Sequence, residues 1–170
     1  QYNLENFIKN YLPFKINEIK FENIRGNIIT RFKKFIEGNV DGFVVAKAAI
    51  DRLLNADQNE FPNIKNTLLS YINKCLWNVV PLSVNPSSPG QGALAVEIRS
   101  EDTQLKKILS EINNIVDYEN VILEREELRK YGGGCHQKIG VSYKNTHFGK
   151  VKYSKGEKED GSSFYEKIIF

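Results

Sequence analysis

Three glycines and a cysteine, in Tyr131-Gly132-Gly133-Gly134-Cys135-His136-Gln137-Lys138-Ile139-Gly140, constrain this chain more than any other feature. The apolar-periodic stretch before them, 117–130, reads as a helix. The glycines must end it, because a backbone without Cβ atoms accepts positive φ and closes a helix without steric cost. One element therefore stops at Tyr131 and another begins near Lys138, with a loop between them that opens on three residues without side chains. Two readings of Cys135 follow. It is a thiol that something bulky can reach, or it is a small buried residue after a glycine C-cap.

The rest of the chain falls into two kinds of pattern. Residues 19–24 alternate like a strand. Asn27 is a fitting N-cap for a helix over 28–37, which Gly38 ends. The short apolar run 42–46 reads as a buried strand and 48–54 as a helix. Strand, helix, strand, helix implies parallel βαβ units with helices covering the sheet. Residues 55–63 form a polar loop, and 64–75 have helical spacing, with Ile64, Leu68, Leu69, Ile72 and Leu76 on one face. Strands are predicted over 78–84 and 92–98. Between them lies the clearest hinge, Pro86-Ser87-Ser88-Pro89-Gly90-Gln91-Gly92. A helix over 102–115 follows. After Val116 the alternating runs 138–143, 148–153 and 164–169 predict a small antiparallel sheet packed by one helix, an α+β unit.

Composition narrows the class without naming a function. A chain of 170 residues makes one domain or two small ones, and 41% hydrophobic residues suit a globular fold. A net charge of +3, with lysines dispersed among acidic residues, gives no footprint for nucleic acid. No apolar run approaches the roughly 20 residues that span a bilayer. Two cysteines far apart, Cys75 and Cys135, make neither a disulfide framework nor a metal-ligand cluster, so no metal is expected and a reducing compartment is the simplest setting.

Arg25 and Arg31 flank the start of the 28–37 helix, at the carboxyl end of a predicted strand, where ligands bind in open α/β sheets and helix N–H groups favour anions. Guanidinium groups bind carboxylates in bidentate fashion. The competing reading is two surface arginines paired with Glu22 and Glu37. Gln91, flanked by glycines, either places its amide against a ligand or faces water as a hinge residue. His136 beside the cysteine would lower the thiol pKa or simply face solvent. His147 sits in a turn without a role, Asp41 reads as a turn residue, and Cys75, Tyr71 and Trp77 read as packing.

Taken in order, Arg25-Gly26-Asn27-Ile28-Ile29-Thr30-Arg31, then 86–97, then Glu124-Arg125 and the glycine–cysteine loop resemble porphobilinogen deaminase (hydroxymethylbilane synthase) over about 24–140. The resemblance implies a transferase that joins porphobilinogen units into the linear tetrapyrrole hydroxymethylbilane. It implies a dipyrromethane cofactor held by a thioether on Cys135 beside Gly134, with Arg25 and Arg31 on cofactor and substrate carboxylates and Gln91 shaping the cleft. It also implies a periplasmic-binding-protein-like parallel-sheet domain, partly present over 1–88. The segment 89–116 then supplies a hinge, a strand and a helix returning to an N-terminal domain, and 117–170 forms an α+β domain with a three-stranded antiparallel sheet.

The family's acidic catalytic residue lies in a His-Ser-x-Lys-Asp type motif that nothing here matches. No catalytic residue is therefore expected in these residues. The chain reads as a C-terminal portion that is inactive alone, whose partners are porphobilinogen and its own N-terminal half, without nucleic acid or membrane. The complete protein is expected to be a monomer in the cytoplasm or an organelle lumen. Two departures from the family pattern stand out: no arginine falls between Leu53 and Ile98, and His136-Gln137-Lys138 follows the cysteine where a proline-bearing segment is usual. The rival readings are a non-catalytic anion-binding module and a subunit that complements a partner chain.

Overall fold

The computed structural model describes residues 1–13, 15–57, 62–132 and 137–170. Its elements are α1 (Tyr2–Tyr11), α2 (Ile28–Glu37), α3 (Lys47–Leu54), α4 (Ile64–Ile72), α5 (Thr103–Ser110), α6 (Ile115–Arg129), β1 (Ile139–Thr146), β2 (Gly149–Glu157) and β3 (Ser163–Ile169). They fall into two units, Lys20–Val79 and Gln1–Ile19 with Val80–Phe170. None of these helices is long and apolar enough to cross a membrane.

The Lys20–Val79 unit is held by apolar contact. Phe32, Ile50 and Leu68, one from each of α2, α3 and α4, form its buried centre. Ile28, Ile29, Phe43, Val45, Tyr71, Ile72 and Cys75 pack around them. Phe32 meets Phe43 edge-on at 5.2 Å, stacks on Tyr71 at 6.2 Å and lies 6.1 Å from Trp77. Cys75 sits against this cluster as a packing residue, its thiol donating to the Tyr71 carbonyl. Leu76 departs from expectation. The helix ends at Ile72, so Leu76 falls past the face it was assigned to and is fully exposed.

The other unit is built on an antiparallel sheet of order β1-β2-β3. Ile139 pairs with Gly156 and Thr146 with Gly149 across β1 and β2, and Val151 pairs with Ile169 across β2 and β3. The β1–β2 reversal falls at His147 and Phe148, two residues beyond the predicted Asn145-Thr146 break. Successive strand residues point to opposite faces, and Val151 and Lys152 are both buried, so β2 is covered on both sides. Helix α6 packs on β1 and α1 on β2.

Three expectations need correcting. The predicted strands over 19–24, 42–46, 78–84 and 92–98 form no ladder, and the three-stranded antiparallel sheet is the only sheet among the described residues. Apolar alternation marks a segment able to pair, but a strand exists only with a hydrogen-bonded neighbour. Val44, Val79, Leu94 and Val96 are correspondingly exposed. Secondly, α1 has no counterpart in the sequence reading: Gln1 provides no side-chain cap, so the helix lacks a start signal, although Leu4 and Phe7 are buried and Phe7 stacks on Tyr11. Thirdly, α6 fully buries none of its apolar residues, although Val121, Leu123 and Leu128 are half-buried. Its inward face is Asn120, Glu124 and Glu127, while Ile115, Val116, Tyr118 and Ile122 are exposed.

Candidate functional site

Arg25 and Arg31 meet at one turn. Gly26 adopts φ +127°, a conformation that lets the chain reverse tightly into α2, and a Cβ there would come within 2.8 Å of the Thr30 side chain. Asn27 then caps the helix, its Oδ1 accepting from the Thr30 N–H at 2.8 Å. The turn's outward carbonyls are held by cations from α2. Arg31 Nε donates to the Gly26 carbonyl at 2.6 Å, and Lys34 Nζ to that of Arg25 at 3.0 Å. Arg25 is exposed and Arg31 half-buried. Among the described residues neither guanidinium pairs with Glu22 or Glu37. The N–H groups of Ile28 and Ile29, at the positive end of the helix dipole, open onto the same turn. The arrangement suits a carboxylate ligand.

The hinge carrying Gln91 belongs to the other unit and is firmly docked there. The Val141 N–H donates to the Ser87 carbonyl at 2.9 Å. Gly140 lies so close to Pro86 that a Cβ would come within 2.0 Å of its carbonyl oxygen, which explains a glycine inside β1. At the tip, Gly90 and Gly92 have positive φ, and the Gly90 N–H donates to Glu124 Oε2 at 2.7 Å. The other Glu124 oxygen accepts from the Tyr143 N–H at 2.9 Å. One buried carboxylate thus ties hinge, α6 and β1 together. The Gln91 side chain is exposed. The sequence reading missed the role of Glu124. Its signal was its place in the Glu124-Arg125 pair of the family resemblance, which gives it no structural role by itself.

Gly134, Cys135 and His136 lie outside the described residues. What is described is the frame on either side. Tyr131 stacks on Phe164 at 4.9 Å, and burial pushes its phenol pKa up. Gly132 has φ +93°, and a Cβ there would sit 2.9 Å from Glu159 Oε1 and 3.2 Å from Gln137 Nε2. Gln137 donates to Glu159 at 3.3 Å, and Lys138 pairs with Glu157 at 2.5 Å, which raises the lysine pKa. Both ends of the segment are therefore held against the β2–β3 connection.

Beneath this frame lies a buried ion cluster. Glu127 Oε1 accepts from Lys152 Nζ at 3.1 Å and its Oε2 from Lys130 at 2.8 Å. Lys152 also pairs with Glu166, which accepts from the Ser154 hydroxyl at 3.3 Å. Burial would raise the Glu127 pKa, but hydrogen bonds from Lys130 and Lys152 outweigh it and hold the carboxyl below its ordinary range. Burial would likewise lower the Lys152 pKa, but bonds to Glu166 and Glu127 hold it above.

Comparison with known proteins fits this geometry. Residues 7–107 match the family model described as "Porphobilinogen deaminase, dipyromethane cofactor binding domain". Cys135 lies beyond that matched stretch. A "Probable porphobilinogen deaminase" of Sulfurisphaera tokodaii is 35% identical over 154 residues, covering 89% of this chain and 46% of the relative. One from Saccharolobus islandicus is 29% identical over the same shares. The "Porphobilinogen deaminase" of Prochlorococcus marinus is 30% identical over 131 residues, 77% of this chain and 36% of the relative. The chain spans about half the length or less of these relatives. With a dipyrromethane-binding family model matched over more than half of its residues, this chain belongs to the porphobilinogen deaminase family.

Proposed function

We propose that this chain is the C-terminal half of a hydroxymethylbilane synthase, a transferase of tetrapyrrole biosynthesis that links porphobilinogen units head to tail. The observation that carries the reading is the α2 turn. Two guanidinium groups without a carboxylate partner among the described residues stand there beside free helix N–H groups. The acetate and propionate arms of a pyrrole chain match that donor set in charge and geometry. The residues present therefore fit a dipyrromethane. In this reading Arg25 and Arg31 hold its carboxylates and those of the growing chain, and Gln91, at the end of the docked hinge, helps shape the cleft. Cys135, beside Gly134, carries the cofactor through a thioether. When bound, the dipyrromethane supplies the free pyrrole end to which porphobilinogen is added with loss of ammonia.

The acid that this chemistry needs belongs to the N-terminal half of the complete enzyme. The unladdered runs 42–46, 78–84 and 92–98 then become strands of a periplasmic-binding-protein-like sheet once that half provides neighbours. Their exposed Val44, Val79 and Leu94 are the support for this. Residues 1–88 would contribute to that domain, 89–116 would return to the N-terminal one, and 117–170 would be the domain that bears the cofactor. The complete enzyme would be a monomer of the cytoplasm or an organelle lumen.

Intact mass and peptide mapping test the reading. Protein produced with its N-terminal half carries a dipyrromethane adduct on Cys135, and Arg31→Lys, which keeps the charge and loses the planar fork, slows loading and elongation without a matching loss of thermal stability. The 170-residue chain alone does not turn over porphobilinogen. An unmodified Cys135 in active enzyme would overturn the assignment.

A further inference from the structure

Helix α6 meets the sheet through charge, and its last turn leads straight to the cysteine loop. Glu127 lies two residues before the end of α6 and is 3% exposed. Lys152, in the middle of β2, is 4% exposed. Their 3.1 Å contact crosses the helix–sheet interface, and on the sheet Lys152 is also held by Glu166 of β3. Buried ion pairs rarely stabilise a fold more than apolar residues of the same size would, since desolvation offsets the attraction. What such a pair does supply is direction. It is satisfied at one rotation and one height of the helix on the sheet, whereas an apolar contact tolerates sliding.

We infer that Glu127 and Lys152 are positioning residues: their pair fixes the last turn of α6 on β2, and so sets the direction in which the chain leaves the helix toward Cys135. Three neighbouring contacts carry that setting outward. Tyr131 stacks on Phe164, Gly132 lies against Glu159, and Gln137 returns to the same carboxylate. For the enzyme this means that the pair governs how fast Cys135 takes up its cofactor, a consequence that rests on the function proposed above.

The test uses Glu127→Met/Lys152→Met, which replaces the pair with apolar side chains of similar volume, and two readouts. In the 170-residue chain, iodoacetamide alkylation of Cys135 is followed by peptide mass against Cys75, a half-buried internal reference in the other unit. In the enzyme assembled with its N-terminal half, the adduct on Cys135 is followed by intact mass after porphobilinogen is added to the apo form. The double variant should melt near the wild type. Its Cys135:Cys75 alkylation ratio should rise, because the last turn of α6 is no longer held to one register on the sheet. Cofactor loading should slow by roughly 10–100-fold, because that reaction needs one geometry. Glu127→Gln, which keeps the acceptor for Lys152, should restore both towards wild type. If the double variant has no cooperative melt, Lys152→Arg, which keeps the charge but moves the pairing atoms, takes its place with the same readouts. An unchanged alkylation ratio overturns the positioning role whatever the loading result. A raised ratio in a protein whose wild type never loads supports the positioning of the loop and removes the proposed function instead.

Discussion

The helices α2 and α6 each precede or follow a residue assigned to ligand or cofactor, yet they are fixed in opposite ways. Helix α2 buries Phe32 in an aromatic and aliphatic cluster and leaves its polar work to the N-terminal turn. Helix α6 turns Asn120, Glu124 and Glu127 inward, leaves Ile115, Val116, Tyr118 and Ile122 exposed and only half-buries Val121, Leu123 and Leu128. The apolar cluster supplies most of the stability of its unit, because burial is favourable in any orientation. The charged interface supplies little net stability but a single register. At the turn before α2, Arg25 is exposed while Arg31 is held by its bond to the Gly26 carbonyl, so the polar contacts there are local to the turn. On the function proposed above, the Cys135 thiol forms one bond to its cofactor, and the charged contacts of α6 fix the helix turn that precedes it.

If the contrast is real, the largest effect comes from emptying the apolar cluster. Phe32→Ala removes the side chain that touches Phe43, Tyr71 and Trp77 together. A loss of about 3–5 kcal/mol is expected for such a truncation. Trp77 is the one tryptophan in the chain, so its fluorescence reports melting of this unit. Amides of β1–β3 should keep their exchange protection. Equal loss of protection in the sheet would show that the two units do not respond separately.

The charged interface should behave differently, through coupling instead of bulk. Lys152→Met leaves Glu127 with Lys130 as its remaining cation, so the cost should be about 1–3 kcal/mol, the range for stripping a partner from a buried polar group. Glu127→Met added to it should recover most of that loss. Additive, unrecovered costs in the double-mutant cycle would mean that the pair is not an energetic unit.

The same division explains what was legible in the sequence. Where a segment's order comes from its own residues, reading it forward works. Asn27, the apolar stripe of 28–37 and Gly38 announce α2 to the residue, whereas Asp102 announces only the start of α5, which ends at Ser110 and not at the expected Ile115. The alternating runs after Lys138 announce three antiparallel strands that then find one another. Where order depends on partners far along the chain, the local pattern misleads. The runs 42–46 and 92–98 look like buried strands but have no ladder among the described residues. The inward face of α6 could not be read from hydrophobicity, because Lys152 and the Gly90 N–H, 25 and 34 residues from their carboxylates, decide it. For the site, the Arg25–Arg31 turn was legible because capping is local. The anchoring role of Glu124 and the Glu127–Lys152 pair was not.

The smallest effect expected is in the pH dependence, and it separates the two units most cleanly. Hydrogen bonds from Lys130 and Lys152, outweighing burial, hold Glu127 below the ordinary glutamate value of 4.5, so the folded state binds this proton less readily than the unfolded chain does. Its contribution to stability is therefore fully present above about 4.5 and is lost as pH falls through the lower folded value. Lys152 has the opposite sign. Its folded pKa is raised above 10.5, so its contribution is present below that value and is lost as pH rises through the folded one. The melting temperature of the sheet-bearing unit, read by backbone amides of β1–β3, should thus be level through neutral pH and decline at both ends. Glu127→Gln should flatten the acid limb and weaken the alkaline limb only in part, because Lys152 loses the Glu127 charge but keeps Glu166. Over the same acid range the Trp77 signal should move less, since Phe32, Ile50 and Leu68 at the centre of its unit carry no titratable group. An acid limb of the same slope in wild type and Glu127→Gln would assign the loss to other carboxylates and leave the buried pair without a measurable share in the stability of its unit.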